Sequence, residues 1–446
     1  MLPGRAQSAW FHAHPRMSRF LLLLVCAVPP GLTQAPMLQD GAGALRQARL
    51  DWTLGQTPLG ASSMPSFEAG LGGAGSDGAY APLVGGEGLG HGAKGWGLGL
   101  QGRFVRGGWS FSATALALRD HDRTLGVLQR FAIAFQTESG WRTALEQAPL
   151  AWGSGLNGGD LLGDSARPFP RLSFSTPGAS LRFGTWRAEA FTGRLESNRT
   201  IPEWLPDRAS RLAAETAGLN LRNSTLWGGL LRASFGTLVE GSLGVLSLQG
   251  GEDGLGQPAP DRATRRASLT ELRVRIPALA RLAGARGASV NLSRGGAPDT
   301  QAWSLAPPRD LAGLQLVWER WDLGMEYAGA APSSLQTTFT QPTQLAGFST
   351  HGDPLGSAFG GGTITRTVEL GLPLFLEGQG RLKAVRATVA LDQPSGMASW
   401  FIQTEAQWRT PTGRAGGTFG LRRNELPGAE ARWGWAFSLF EAFRVF

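Results

Sequence analysis

Cysteine is nearly missing from this chain: of 446 residues only Cys26 carries a thiol. A single thiol excludes a disulfide framework and a multi-cysteine metal site, so stability has to come from size and hydrogen bonding. Histidine is scarce too. Beyond residue 44 it occurs only at His91, His121 and His351, and no pair has metal-ligand spacing. Lysine stands only at Lys94 and Lys383 and tyrosine only at Tyr80 and Tyr327, so the 42 basic residues are nearly all arginine. Charge is low at 17 %, and past the N-terminal region no apolar run approaches the roughly 20 residues of a spanning helix. What is abundant is glycine, with 65 residues, and tryptophan, with 16.

The N-terminal region reads as an export segment. From Met17, the expected start, a basic Met-Ser-Arg precedes an apolar run from Phe20 to Val28 and then small residues. A basic lead, a short apolar run and a small-residue exit describe a secretory signal. Cleavage is expected near Ala35 or Ala44, and residues 1–16 read as upstream sequence. A lipid anchor on Cys26 is the lesser reading, because Val25 stands where a small residue is wanted. Removing residues 1–44 leaves 39 of the 42 basic residues and 33 of the 34 acidic ones, a net of +6. That excess is compatible with an anionic polymer as partner. It lacks the clustered basic stripe of a nucleic-acid binder, so no nucleic acid is expected.

From residue 96 the dominant period is two. Trp96, Leu98 and Leu100 alternate with glycines; Trp109, Phe111, Ala113 and Ala115 alternate with Ser110, Ser112 and Thr114. Arg106-Gly107-Gly108 between them predicts a tight hairpin. Similar stretches recur to the C-terminus, and another tight pair is expected around Gly184-Thr185. Short connections such as Arg320-Trp321 alternate with long ones such as residues 252–265 and 328–349, the asymmetry of the two ends of an outer-membrane barrel. The chain ends on Phe446 in an alternating aromatic stretch. Helical candidates are few: residues 206–214 as a short helix, and residues 277–287 as an apolar segment short enough to be a turn. The expected fold is all-β, a transmembrane antiparallel barrel of about 16–18 strands with at most a small helical element. The division is a signal in 1–44, a glycine-rich segment in 45–95 and the barrel in 96–446.

Residues 152–171, reading WGSGLNGGDLLGDSARPFPR, hold five glycines, two prolines and two aspartates, which leaves no room for a ladder or a helical face. This long loop also gathers Trp152, Asn157, Asp164, Arg167 and Arg171. Sugars offer apolar faces to flat rings and hydroxyl fringes to paired hydrogen bonds, and the segment supplies both kinds of group. A second glycine-rich segment, residues 349–363, adds His351 and Asp353. The competing reading makes both segments ordinary connections, with tryptophans at strand ends as membrane-interface anchors. Catalysis has less to stand on. Gly163-Asp164-Ser165 matches the start of a GDS-esterase signature, but Ala166 replaces its leucine and no late Asp-x-x-His follows. A converging carboxylate pair among the 34 acidic residues stays open.

The Trp-Gly stretch leading to Ala166-Arg167-Pro168-Phe169-Pro170 resembles the "ARP-x-P" motif of the Wzi-type capsule-assembly family. Residues 351–363 look like that family's "G-x-P-LG-x-x-x-GG" stretch. Residues 314–327, with Glu319 and Glu326, look like its paired strands ending in "EY", and residues 269–293 like its "R-x-R-x-P" strand and return. The likeness is collinear over about residues 140–390. It implies an 18-stranded outer-membrane barrel with a helical plug, acting as a lectin for capsular polysaccharide. Residues 45–95 lack the helical bundle it implies, apart from 45–52. The expected function is therefore a non-enzymatic, cofactor-free and metal-free outer-membrane lectin for capsular or exopolysaccharide in a Gram-negative-type bacterium. Its ligand contacts fall on Trp152, Asn157, Asp164, Arg167, Arg171, His351 and Asp353. Membrane lipid and the glycan are the expected partners, and the expected state is a monomer. The alternative is a channel for sugars or other small solutes.

Overall fold

Alternation of this kind gives each strand one apolar and one polar face, and a chain of such strands is stable in a bilayer only when its edges meet. In the computed structural model they do. The described residues are 66–77, 94–120, 123–153, 155–157, 161–162, 168–181, 184–195, 223–236, 238–249, 265–296, 309–329, 349–350, 353–354, 363–374, 378–389, 398–410, 413–425 and 431–444.

The wall begins with β1 (Ser66–Asp77), β2 (Lys94–Arg106), β3 (Trp109–Asp120), β4 (Arg123–Gln136) and β5 (Arg142–Gln147). It continues with β6 (Pro170–Ser175), β7 (Ala179–Leu181), β8 (Gly184–Arg194), β9 (Thr225–Phe235), β10 (Val239–Gln249) and β11 (Arg265–Arg275). After a one-turn helix, α1 (Pro277–Leu282), come β12 (Gly287–Gly296), β13 (Arg309–Val317) and β14 (Asp322–Gly329). A small separate pair, β15 (Ser349–Thr350) with β16 (Asp353–Pro354), precedes β17 (Thr363–Leu374), β18 (Gly378–Val389), β19 (Ala398–Thr410), β20 (Gly413–Glu425) and β21 (Arg432–Arg444).

Each wall strand pairs antiparallel with its neighbours in chain order. β6 and β7 both pair with β8, through residues 171–175 and 179–181, so they fill one place in the wall. Between them Pro177 has no N–H to give the ladder, and the Thr176 hydroxyl accepts the Ala188 N–H at 2.9 Å instead. The 19 strands of this sheet therefore form an 18-stranded ring. β1 closes it, pairing with β2 on one side and β21 on the other. Among the described residues the first barrel strand thus begins at Ser66, earlier than the expected residue 96, because the glycine-rich β1 carries little of the apolar alternation that marks its neighbours. Residues 1–44, 45–52 and 206–214 lie outside the described residues. The segment at 277–287, read as a turn, does connect β11 to β12 and carries α1 within it.

The outward face holds Leu98, Leu100, Trp109, Phe111, Leu172, Trp227, Leu243, Leu292, Val368 and Ile402, all exposed apolar side chains on the face that lipid covers. Alternate residues are buried on the lumen side. Short turns, as between β2 and β3 or β19 and β20, gather at one end, and the long connections leave from the other, where β3 and β4 are the exception with a two-residue link. A barrel of 16–18 strands ordinarily leaves a water-filled bore. Among the described residues, the loop from β5 to β6 enters this bore.

Candidate functional site

Between β5 and β6 the chain turns into the barrel as a miniature hairpin. Trp152 and Leu162 form an isolated antiparallel bridge, with Trp152 N–H donating to the Leu162 carbonyl at 2.8 Å and Leu161 N–H to the Trp152 carbonyl at 3.1 Å. The lumen face of β8–β11 receives it with an apolar patch, an unusual lining for a bore. Trp152, Leu161, Leu162 and Phe169 from the loop pack against Phe191, Leu226, Leu230, Leu246, Leu248, Ala267 and Leu269. The Trp152 and Phe191 rings lie 5.2 Å apart.

Glycines on the wall make the seats. A Cβ at Gly228 on β9 would stand 2.2 Å from the Phe191 ring and 2.6 Å from Trp152. Gly193 lies in the same way under Phe169, Gly244 under Leu161, and Gly324 on β14 under Leu156. Gly228→Val should therefore unseat the loop and cost about 1–3 kcal/mol of overpacking. Measured as a lower urea midpoint of the refolded barrel, the loss should be missing from Gly229→Val, whose added carbon faces only Val245 at 3.8 Å. Equal midpoints for the two variants would refute the seat.

The loop base is fixed by charge. Glu146 on β5 and Arg171 on β6 are register partners. Arg171 gives Nη2 to Glu146 Oε1 at 2.9 Å, Nε to the same oxygen at 3.2 Å and Nη1 to the Ala148 carbonyl at 2.5 Å. Arg142 Nη2 takes the other carboxylate oxygen at 2.8 Å, and the Ser173 hydroxyl donates to Oε1 at 2.7 Å. Glu146 and Arg171 are each 2 % exposed, so this is a desolvated pair whose lone pairs and protons are filled on both sides.

The loop tip reaches the far wall. Counting round the ring, β17 stands nine places from β5, half the circumference away. There the Leu156 N–H donates to Glu326 Oε2 on β14, and Asn157 Nδ2 donates to Glu326 Oε1 at 3.2 Å and to Thr367 Oγ1 on β17 at 2.7 Å. Lys383 on β18 donates to the Leu156 carbonyl and pairs with Glu369 at 2.8 Å. Arg381 pairs with Glu369 and lies 3.8 Å from Asp322. All the side chains of this latch are buried or nearly so. The loop is thus a strap, seated along β8–β11 and tied at its tip to β14, β17 and β18.

The structure places Trp152 in the seat of this strap, Asn157 at its tip on the far wall and Arg171 at its base on β6, with Trp152 1 % exposed and Asn157 2 % exposed. Each does packing or bonding work there. Two polar atoms are left over: Trp152 Nε1 and Asn157 Oδ1 have no hydrogen-bond partner among the described residues. Asp164, Arg167 and His351 lie outside the described residues, and for Asp353 only the backbone, in β16, is described. The latch residues Glu326, Glu369, Arg381 and Lys383 were not singled out as site residues from sequence. Two signals touch them: the scarcity of lysine marks Lys383, and the "EY" pair of the family-like strands marks Glu326. Among the described residues no cluster of three metal-ligating side chains occurs.

No family model matches this chain, and no curated protein matches it in sequence. Its fold is similar to solved structures. Wzi of Escherichia coli, an outer membrane protein involved in group 1 capsule assembly and a carbohydrate-binding β-barrel, superposes with a TM-score of 0.62 at 14 % identity. That match covers 91 % of this chain and 89 % of Wzi. OccK3 (OpdO) of Pseudomonas aeruginosa superposes with a TM-score of 0.51 at 12 % identity, over 86 % of this chain and 96 % of that one. The fold is that of an outer-membrane β-barrel.

Proposed function

We propose that this protein is a non-enzymatic lectin of a Gram-negative-type outer membrane, a member of the Wzi-type family that holds capsular or exopolysaccharide at the cell surface. The observation that carries this reading is the strap. A bore crossed by a loop that is seated on one wall and tied to the opposite one is a braced support rather than an open passage. The resemblance of residues 152–171 to the family's motif falls on the same segment, and the fold likeness to carbohydrate-binding Wzi agrees with it. In this reading Trp152, Asn157 and Arg171 set the course of the strap. Asp164 and Arg167 in its continuation, with His351 and Asp353 between β14 and β17, meet the sugar.

The test uses cells that export a polysaccharide. Asp164→Ala with Arg167→Ala should release the bulk of the surface-bound polymer while the barrel keeps its heat-modifiable migration, because contacts along one polymer act together. The wild-type barrel should also pass only small currents in planar bilayers. Undiminished retention by the folded variant would remove the lectin site from this loop.

A solute channel is the second reading, favoured by the charged lumen wall of Glu369, Arg381 and Lys383. It requires large, stable wild-type currents and no effect of the barrel on polysaccharide retention.

A further inference from the structure

Outside the barrel, at the end where the long connections emerge, register partners line up in one outward row. Tyr327 on β14 faces Arg366 on β17, Arg366 faces Arg386 on β18, and Arg386 faces Trp400 on β19. Trp400 in turn faces Arg423 on β20, and Arg423 faces Trp433 on β21. All six side chains are exposed. The Arg386 guanidinium lies 5.2 Å from the centre of the Trp400 ring, and that of Arg423 lies 5.9 Å from Trp433. One step toward the barrel middle, the same strands present Met325, Val368, Ala384, Ile402, Leu421 and Trp435, an unbroken apolar row. The arginines therefore stand at the upper edge of the lipid-facing band, at headgroup level.

Their charge is poorly matched by protein. Arg423 meets Glu425 at 3.4 Å, but among the described residues no carboxylate pairs with Arg366 or Arg386. These two are direct partners on adjacent strands about 4.8 Å apart, an arrangement of like charges that opposes the pairing of the strands. An anion bridging them turns that repulsion into attraction, and guanidinium forks suit the oxygens of a phosphate. Trp400 and Trp433 stand beside the Arg386 and Arg423 guanidiniums, and amphipathic rings of this kind suit the membrane interface.

We infer that Arg366, Arg386 and Arg423, with Trp400 and Trp433, form a binding site for the phosphate-bearing headgroup of an outer-leaflet lipid. This rests on the barrel's place in an outer membrane and is independent of the polysaccharide reading.

The experiment uses the full barrel in phosphate-free maltoside micelles, doped either with bis-phosphorylated lipid A or with the same lipid after enzymatic dephosphorylation. Lipid co-eluting with the protein is measured. The wild type should retain the phosphorylated lipid at least about tenfold better, and Arg366→Gln with Arg386→Gln should abolish that difference. Arg294→Gln, at the same rim but paired with Asp310, should leave it intact. Equal retention of both lipids by the wild type would overturn the site, as would full retention by the folded double variant. Displacement of the lipid by millimolar inorganic phosphate would reassign it to a free anion. If the double variant fails to fold, the two-lipid comparison on the wild type decides.

Discussion

Barrels carrying Glu326→Ala and Lys383→Ala together are expected to pass at least about tenfold more current in planar bilayers than the wild type. Glu326 accepts both the Leu156 N–H and the Asn157 amide, and Lys383 donates to the Leu156 carbonyl. Cutting both leaves buried donors and an acceptor without partners, and each such group costs about 1–3 kcal/mol. The strap tip is glycine-rich, so it swings away from β14, β17 and β18 at little conformational cost. Removing one acid and one base together keeps the net charge, so a rise in current reports the freed bore and not a changed field. Glu369 keeps Arg381 as its partner, which protects the wall. An unchanged current from the folded variant would show that the strap holds without its latch.

The second large effect is on stability. Glu146→Ala should lower the stability of the refolded barrel by about 3–5 kcal/mol, because it leaves Arg142 and Arg171 charged and unpaired beside each other. Arg142→Ala should cost far less. Glu146 then still holds Arg171 through two contacts and Ser173 through a third, so no buried charge is orphaned. Urea titration in vesicles reads both. Equal losses for the two variants would mean that Arg171 does not depend on the carboxylate, and the account of the loop base would fail.

The wall was legible in the sequence because it rests on a local rule. Trp109 and Phe111 alternating with Ser110 and Ser112 already state which face meets lipid, and the structure exposes the first pair and covers Ser110. The glycine-rich segment 152–171 was legible as a loop for the same reason. Its path was not. The contacts that tie it span 170 residues to Glu326, 210 to Thr367 and 227 to Lys383, and no local pattern announces such distances. The pairing of Glu146 with Arg171 was hidden likewise, since it needs the register of two strands separated by the strap itself. Gly184 is a different case. The tight pair expected around it forms, as β7 with β8, but Gly184 is the first residue of β8, paired with Leu181. A Cβ there would stand 1.6 Å from the Ser234 carbonyl oxygen, so glycine is needed for the close approach of β9 and not for a bend. Small side chains mark turns and tight packing alike, and composition alone does not separate the two.

The seam between β1 and β21, where Glu68 stands opposite Arg444, joins the two ends of the chain's strand order. Every other ladder of the described wall joins strands adjacent or nearly so along the chain, β6 with β8 and β14 with β17 being the widest steps, and can zip as the chain lengthens. This one waits for the final strand. Until β21 arrives, the growing sheet carries two unsatisfied margins, each with a row of free peptide groups and an apolar outer face, the most adhesive surface a polypeptide can offer. Closure therefore needs both ends of the strand order at once, and the ribbon becomes self-sufficient only when its first and last strands meet.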